Sequence, residues 1–129
     1  MNLELACDND VLRLATEIRP DQATLVPERR EELTTEGGLD VCAAPQKVAH
    51  AIRQLKEAGI VVSLFLDADT DQIRAAAECG AEAVELHTGA YAGSHGAAQQ
   101  GELAKLANAG QQIREMGMTL HAGHGLTYR

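Results

Sequence analysis

The sequence predicts an α/β fold, a partial (β/α)8 TIM barrel, on three observations. Short apolar runs alternate with amphipathic helical stretches along the whole chain. Proline or glycine stands at most junctions between them. Reactive polar residues fall where apolar runs end, as in Ala83-Val84-Glu85-Leu86-His87 and in Met118-Thr119-Leu120-His121-Ala122-Gly123-His124. In a parallel sheet crossed by helices, chemistry gathers at the carboxyl ends of the strands.

The elements follow in order. Asn2 to Ala6 reads as a strand, and Asp8 or Asp10 caps the helix after it by accepting bonds from free backbone N–H groups. Val11, Leu12, Leu14, Ala15 and Ile18 make one apolar helical face, closed by Arg19-Pro20. Ala23 to Val26 is a second strand, stopped by Pro27. Residues 28–44 form a long charged loop with a double glycine, and long loops in compact domains are often functional. Pro45 suits the first turn of a helix carrying Val48, Ile52 and Leu55, with Gly59 as its stop. Ile60 to Leu66 is a buried strand ending at Asp67. Asp69 or Thr70 starts a helix that turns Ile73, Ala76 and Ala77 inward and ends at Gly80. Glu82 to His87 is the fourth strand and Tyr91 to Gln100 a Gly, Ala and Ser-rich loop. Leu103, Leu106, Ile113 and Met116 mark a long helix ending at Gly117, and Met118 to Ala122 is the last strand. The strands read as near-continuous apolar runs, as expected where helices cover one face and a core the other.

No shift in composition divides residues 1–129, so they read as a single domain. A closed barrel has eight strand–helix units and about 250 residues. This chain starts almost inside a strand and stops just after one, so the expectation is the middle of a barrel. Apolar residues make up 45% of the chain, enough for a core, yet Phe65, Tyr91 and Tyr128 are its only aromatics. That core is therefore aliphatic. The net charge of -8 disfavours nucleic acid and anionic membrane surfaces. Cys7, Cys42 and Cys79 are odd in number and form no CxxC pair, which points to a reducing, cytoplasmic setting. The amino-terminal stretch has neither the basic start nor the apolar run of a signal peptide.

Glu4 and Glu85 each sit inside an apolar strand run. Carboxyl groups withdrawn from water titrate nearer neutrality, and such a pair can share general acid/base work. The competing reading turns each of them outward by strand alternation, or pairs Glu85 with a barrel arginine. His87, His121 and His124 fall at or after strand ends and invite a zinc reading, but their spacing is poor for a metal. His124, between Gly123 and Gly125, is either a proton donor beside closely approaching backbone amides or a plain turn histidine. His50 and His95 read as surface residues. The stretch Leu33-Thr34-Thr35-Glu36-Gly37-Gly38-Leu39-Asp40 offers hydroxyls and amides to a hydroxylated or phosphorylated ligand, or is simply a capped turn. Glu28 to Glu32 is a solvated charged surface. No Walker loop and no GxGxxG occurs.

Five blocks together resemble the pyridoxine 5′-phosphate synthase family of vitamin B6 biosynthesis. They are NLELA at 2–6, LVPERREELTTEGGLDV at 25–41, VSLFLDAD at 62–69, AVELHTGAYA at 83–92 and AGHGLTY at 122–128. The resemblance implies a (β/α)8 barrel, here strands three to seven of eight. It implies condensation of 1-deoxy-D-xylulose 5-phosphate with 3-amino-2-oxopropyl phosphate to give pyridoxine 5′-phosphate, phosphate and water, without metal or organic cofactor. By resemblance Glu4 is a general base, His124 a proton donor and Glu85 a transition-state stabiliser. Thr34 contacts the deoxyxylulose phosphate, and Gly125 lies in the aminoketone phosphate pocket. The family forms homo-oligomers. Its opening strand with an Asp-His pair, the end of its second strand with a further histidine and phosphate-binding arginines, and its final strand have no counterpart in this chain. His121 stands where the family usually has asparagine. The isolated chain is therefore expected to lack full activity. The alternative is a non-catalytic phosphate-binding or self-assembling barrel fragment.

Overall fold

The computed structural model of the chain describes residues 2–6, 8–27, 38–86 and 96–122. Five strands, β1 (Asn2–Leu5), β2 (Gln22–Leu25), β3 (Val61–Leu66), β4 (Ala83–Leu86) and β5 (Thr119–Ala122), form one sheet in sequence order. Every neighbouring pair is parallel. Helices α1 (Asn9–Ile18), α2 (Pro45–Glu57), α3 (Thr70–Glu78) and α4 (Gly96–Glu115) lie between them in the chain. A parallel neighbour needs a crossover connection, so this alternation and this strand order go together. The α/β class expected from the sequence is what the chain adopts.

Local chemistry sets the helix boundaries. The Asp8 side chain accepts from the amides of Asp10 at 2.9 Å and Val11 at 3.3 Å, so Asp8 rather than Asp10 is the cap of α1. Asp69, not Thr70, does the same for α3, accepting from Asp71 at 2.8 Å and Gln72 at 3.3 Å. Each satisfies amides that have no partner inside the helix. At the far end of α1, Arg19 takes a left-handed conformation (φ 53°) and donates its N–H to the Ala15 carbonyl, and Pro20 follows. Gly59 after α2 and Gly80 after α3 have φ of 80° and 93°. A side chain there would be strained, as it would at Gly117 after α4 (φ 82°).

Register explains how the sheet divides chemically. Leu5, Leu25, Leu64, Val84 and Leu120 form one row across all five strands. All but Leu120, which is half-buried and packs against it, belong with Ala23, Val62, Leu66 and Leu86 to the same buried cluster as Leu12 of α1, Val48, Ile52 and Leu55 of α2, Ile73 of α3 and Ile113 of α4. The next row reads Glu4, Thr24, Ser63, Ala83 and Thr119. Successive strand residues point to opposite faces. One face is thus aliphatic and packs on the helices, while the other carries Glu4, Thr24, Ser63 and Glu85. The strands alternate more than the near-continuous apolar reading had it, because Glu4, Thr24, Ser63 and Glu85 all belong to the second face.

Other expectations are corrected at the edges. Leu14 and Ile18 are 54% and 49% exposed, so the α1 apolar face narrows to Leu12 and Ala15, with Val11 half-buried. Leu103 on α4 and Met116 just after it are exposed, and the described buried residues of α4 are Ala109, Gly110 and Ile113. Residues 96–100, expected in a loop, begin α4, since its alanines and glutamines favour helix despite the glycines. The remainder of the expected 91–100 loop lies outside the described residues.

Ser63 gives one direct prediction. Its hydroxyl oxygen is buried and has no hydrogen-bond partner among the described residues. Burying an unsatisfied hydroxyl costs roughly 1–3 kcal/mol. Ser63→Ala is therefore expected to raise the thermal midpoint by a few degrees, read by circular dichroism. A lowered midpoint would mean the hydroxyl is bonded in solution.

Candidate active site

Glu4 and Glu85 come to the same face of the sheet from strands separated by β2 and β3. Glu4 is aligned with Thr24, and Thr24 with Ser63. Two residues further along β3, Phe65 is aligned with Glu85, which in turn faces the His121 position of β5. Steps of two along a strand keep the face, so both carboxylates stand on the side opposite the described helices. Glu4 is exposed and Glu85 half-buried. Glu4 is exposed on the polar face of the sheet, opposite the side packed by helices, while Thr24 and Ser63 on that same face are fully buried.

Asp67 lies just past the end of β3, four residues beyond Ser63, and is buried to 3% exposure. Its Oδ1 accepts the Gly38 amide at 3.2 Å. The next residue, Leu39, donates its amide to the Phe65 carbonyl at 2.9 Å. Space at this junction is tight, since a Cβ on Gly38 would come within 2.7 Å of the Asp67 backbone nitrogen. Gln72, buried on α3, completes the contact. Its Oε1 accepts from Val41 at 2.7 Å and Cys42 at 3.2 Å, and its Nε2 donates to Asp40 Oδ1 at 2.8 Å. Sequence reading gave Asp67 only as a strand end and did not single out Gln72. The one local signal was the double glycine, because partners 29 to 32 residues apart leave no pattern in a window.

Both described cysteines are shifted above the ordinary thiol value. Burial pushes the Cys79 thiol above its ordinary value, with Glu78 and Cys42 adding to the rise, and Cys79 Sγ donates to the Pro45 carbonyl at 3.3 Å. Burial and then Asp40 raise Cys42 likewise. The thiolate is the reactive form, so both thiols are held in the less reactive state. Among the described residues, no group of three or more His, Cys, Asp and Glu is placed to hold a metal ion, and no helix is long and apolar enough to cross a membrane. His50 is exposed on α2, as expected. Thr34, His124 and Gly125 lie outside the described residues, as do His87 and His95.

A parallel α/β sheet, helices packed on its aliphatic face and carboxylates on the other, defines a scaffold of the kind that collects catalytic groups at strand ends. The chain belongs to the family of the pyridoxal phosphate biosynthesis protein PdxJ, whose model matches residues 1–129. It is 58% identical over 127 residues to a pyridoxine 5′-phosphate synthase of Rhodopirellula baltica, covering 98% of this chain and 52% of that protein. Proteins of the same name from Thermosynechococcus vestitus and Aliivibrio fischeri are 53% and 54% identical over 129 residues. In both cases 99% of this chain is covered, with 54% and 53% of the relative. The chain thus spans about half the length of the curated relatives it matches. Among solved structures, a xylose isomerase domain protein from Planctomyces limnophilus aligns with a TM-score of 0.58 at 11% identity, covering 95% of this chain and 52% of that one. At that identity the likeness concerns the fold alone.

Proposed function

We propose that these residues form part of a pyridoxine 5′-phosphate synthase, which joins 1-deoxy-D-xylulose 5-phosphate to 3-amino-2-oxopropyl phosphate. The observation that carries the reading is the placement of Glu4 and Glu85 on one face of a parallel sheet in a PdxJ family member. The 129 residues are one incomplete barrel domain, strands three to seven of eight; coverage of about half of each relative supports an incomplete barrel. Glu4 acts as general base, His124 returns a proton to a leaving oxygen, and Glu85 stabilises charge as it develops. Thr34 binds the deoxyxylulose phosphate and Gly125 the aminoketone phosphate. The amine and a carbonyl form a Schiff base with loss of water, phosphate is eliminated, and carbon–carbon bond formation closes the ring, which becomes aromatic with loss of a second water. Each step needs only proton transfers, so no metal or organic cofactor is assigned. The setting is cytoplasmic and the assembled protein a homo-oligomer.

The test supplies both substrates to a full-length protein carrying this sequence and, separately, to the 129 residues alone. Pyridoxine 5′-phosphate and inorganic phosphate are expected from the first and at most trace amounts from the second. Absence of product from the full-length protein overturns the function, and comparable rates from both overturn the incomplete-barrel reading.

A second reading, a self-assembling fragment, is favoured by one observation. Within the described sheet β1 and β5 are edge strands, and α1 beside β1 exposes Leu14 and Ile18. Open edges promote association. Sedimentation of the 129 residues showing only monomer removes it.

A further inference from the structure

We propose that Phe65 is a positioning residue for Glu85: its ring flanks the carboxylate on the polar face of the sheet, keeps water from that side of it, and so sets how strongly Glu85 acts on charge developing in the reaction. The proposal rests on the reading above, in which Glu85 stabilises that charge.

Phe65 is the one aromatic among the described residues, and it stands apart from the aliphatic core. It is 8% exposed, yet it belongs neither to the buried cluster under the helices nor to the partly buried residues packed against that cluster. Register shows what it stands beside instead. Phe65 of β3 and Glu85 of β4 are aligned, and each is the last residue but one of its strand. Aligned residues of neighbouring strands lie about 4.8 Å apart and project to the same face. The ring and the carboxylate are thus neighbours at the carboxyl ends of the strands, where sheets of this kind gather their chemistry. The row before them, Glu4, Thr24, Ser63, Ala83 and Thr119, holds only polar or small side chains and offers no bulky apolar wall. Glu85 is half-buried and Phe65 buried, as expected where a ring covers one flank of a carboxylate and leaves the other open. A charge with less water around it acts more strongly on other charges. The edge of an aromatic ring is positive, which suits a carboxylate beside it. The backbone under the ring is held on both sides, since β3 pairs with β4 and the Phe65 carbonyl accepts the Leu39 amide at 2.9 Å. Such a fixed wall lets Glu85 meet developing charge without rearranging at the moment of reaction.

The test uses a full-length protein carrying this sequence, with Phe65→Leu, Glu85→Gln and the two combined. Phe65→Leu is expected to lower kcat about tenfold, with KM for both substrates within about threefold of wild type. Added to Glu85→Gln, the same change is expected to lower kcat by less than about twofold, because the charge that the ring serves is already gone. Phe65→Tyr keeps the ring and is expected to recover most of the loss. Phe65→Met, whose side chain fills irregular gaps, carries the same comparison where Phe65→Leu folds poorly. Equal losses with and without the Glu85 carboxylate would overturn the proposal, since the ring would then act as packing alone. An unchanged kcat in Phe65→Leu, with or without a raised KM, would overturn it too. No product from the wild type sinks the proposed reaction and the positioning role with it. Normal turnover in the wild type with additive losses in the variants sinks the positioning role alone.

Discussion

Replacing Glu4 by glutamine in a full-length protein carrying this sequence is expected to lower kcat by about 10²–10⁴-fold, the usual contribution of a positioned general base. Glutamine matches the shape and polarity of glutamate but cannot take up a proton. Glu4 is exposed on the polar face of β1, away from the aliphatic cluster. Surface substitutions ordinarily shift stability by about 0.5 kcal/mol or less, so the thermal midpoint should scarcely move. That contrast separates the two readings of this residue. An outward-facing glutamate without a role leaves both kcat and midpoint unchanged. A structural glutamate lowers both. Only a catalytic one lowers the rate alone, and a kcat within threefold of wild type would remove Glu4 from the mechanism.

How much of this was legible in the sequence depends on the range of the interaction concerned. Helix starts were readable because Asp8 and Asp69 act on amides two and three residues ahead. Strand positions were readable because apolar runs between glycine and proline stops have few alternatives. The face assignments were not. Whether Glu4 points toward helices or away from them depends on register with Thr24 and Ser63, which lie 20 and 59 residues away. The exposure of Leu14 and Ile18 was hidden for a related reason, since periodicity identifies an apolar stripe but not how much of it a neighbour covers. The anchor around Gly38 was hidden most deeply. Asp67 and Gln72 belong to the β3–α3 unit and act on the connection after β2, so nothing near either residue in the chain announces the contact.

Leu64→Ala is expected to destabilise the fold by about 2–5 kcal/mol, the range for truncating a fully buried leucine. The position is the centre of the aliphatic face. Leu64 is inaccessible to solvent, stands on the middle strand, and shares its row with Leu5, Leu25, Val84 and Leu120. Helices α2 and α3 both pack on β3. The neighbours are held by parallel pairing on either side, so the site has little freedom to collapse around the lost atoms, and the cavity term adds to the transfer term. Phe65, the one aromatic among the described residues, stands on the opposite face. Denaturant unfolding followed by circular dichroism reads the change. Ser63→Ala is its internal control, because it sits one residue away on the opposite face and removes an unsatisfied hydroxyl instead of a packed side chain. The two substitutions should move the midpoint in opposite directions. A loss below 1 kcal/mol for Leu64→Ala would mean that the helices do not close over this face, and the division of the sheet into an aliphatic and a polar side would fall with it.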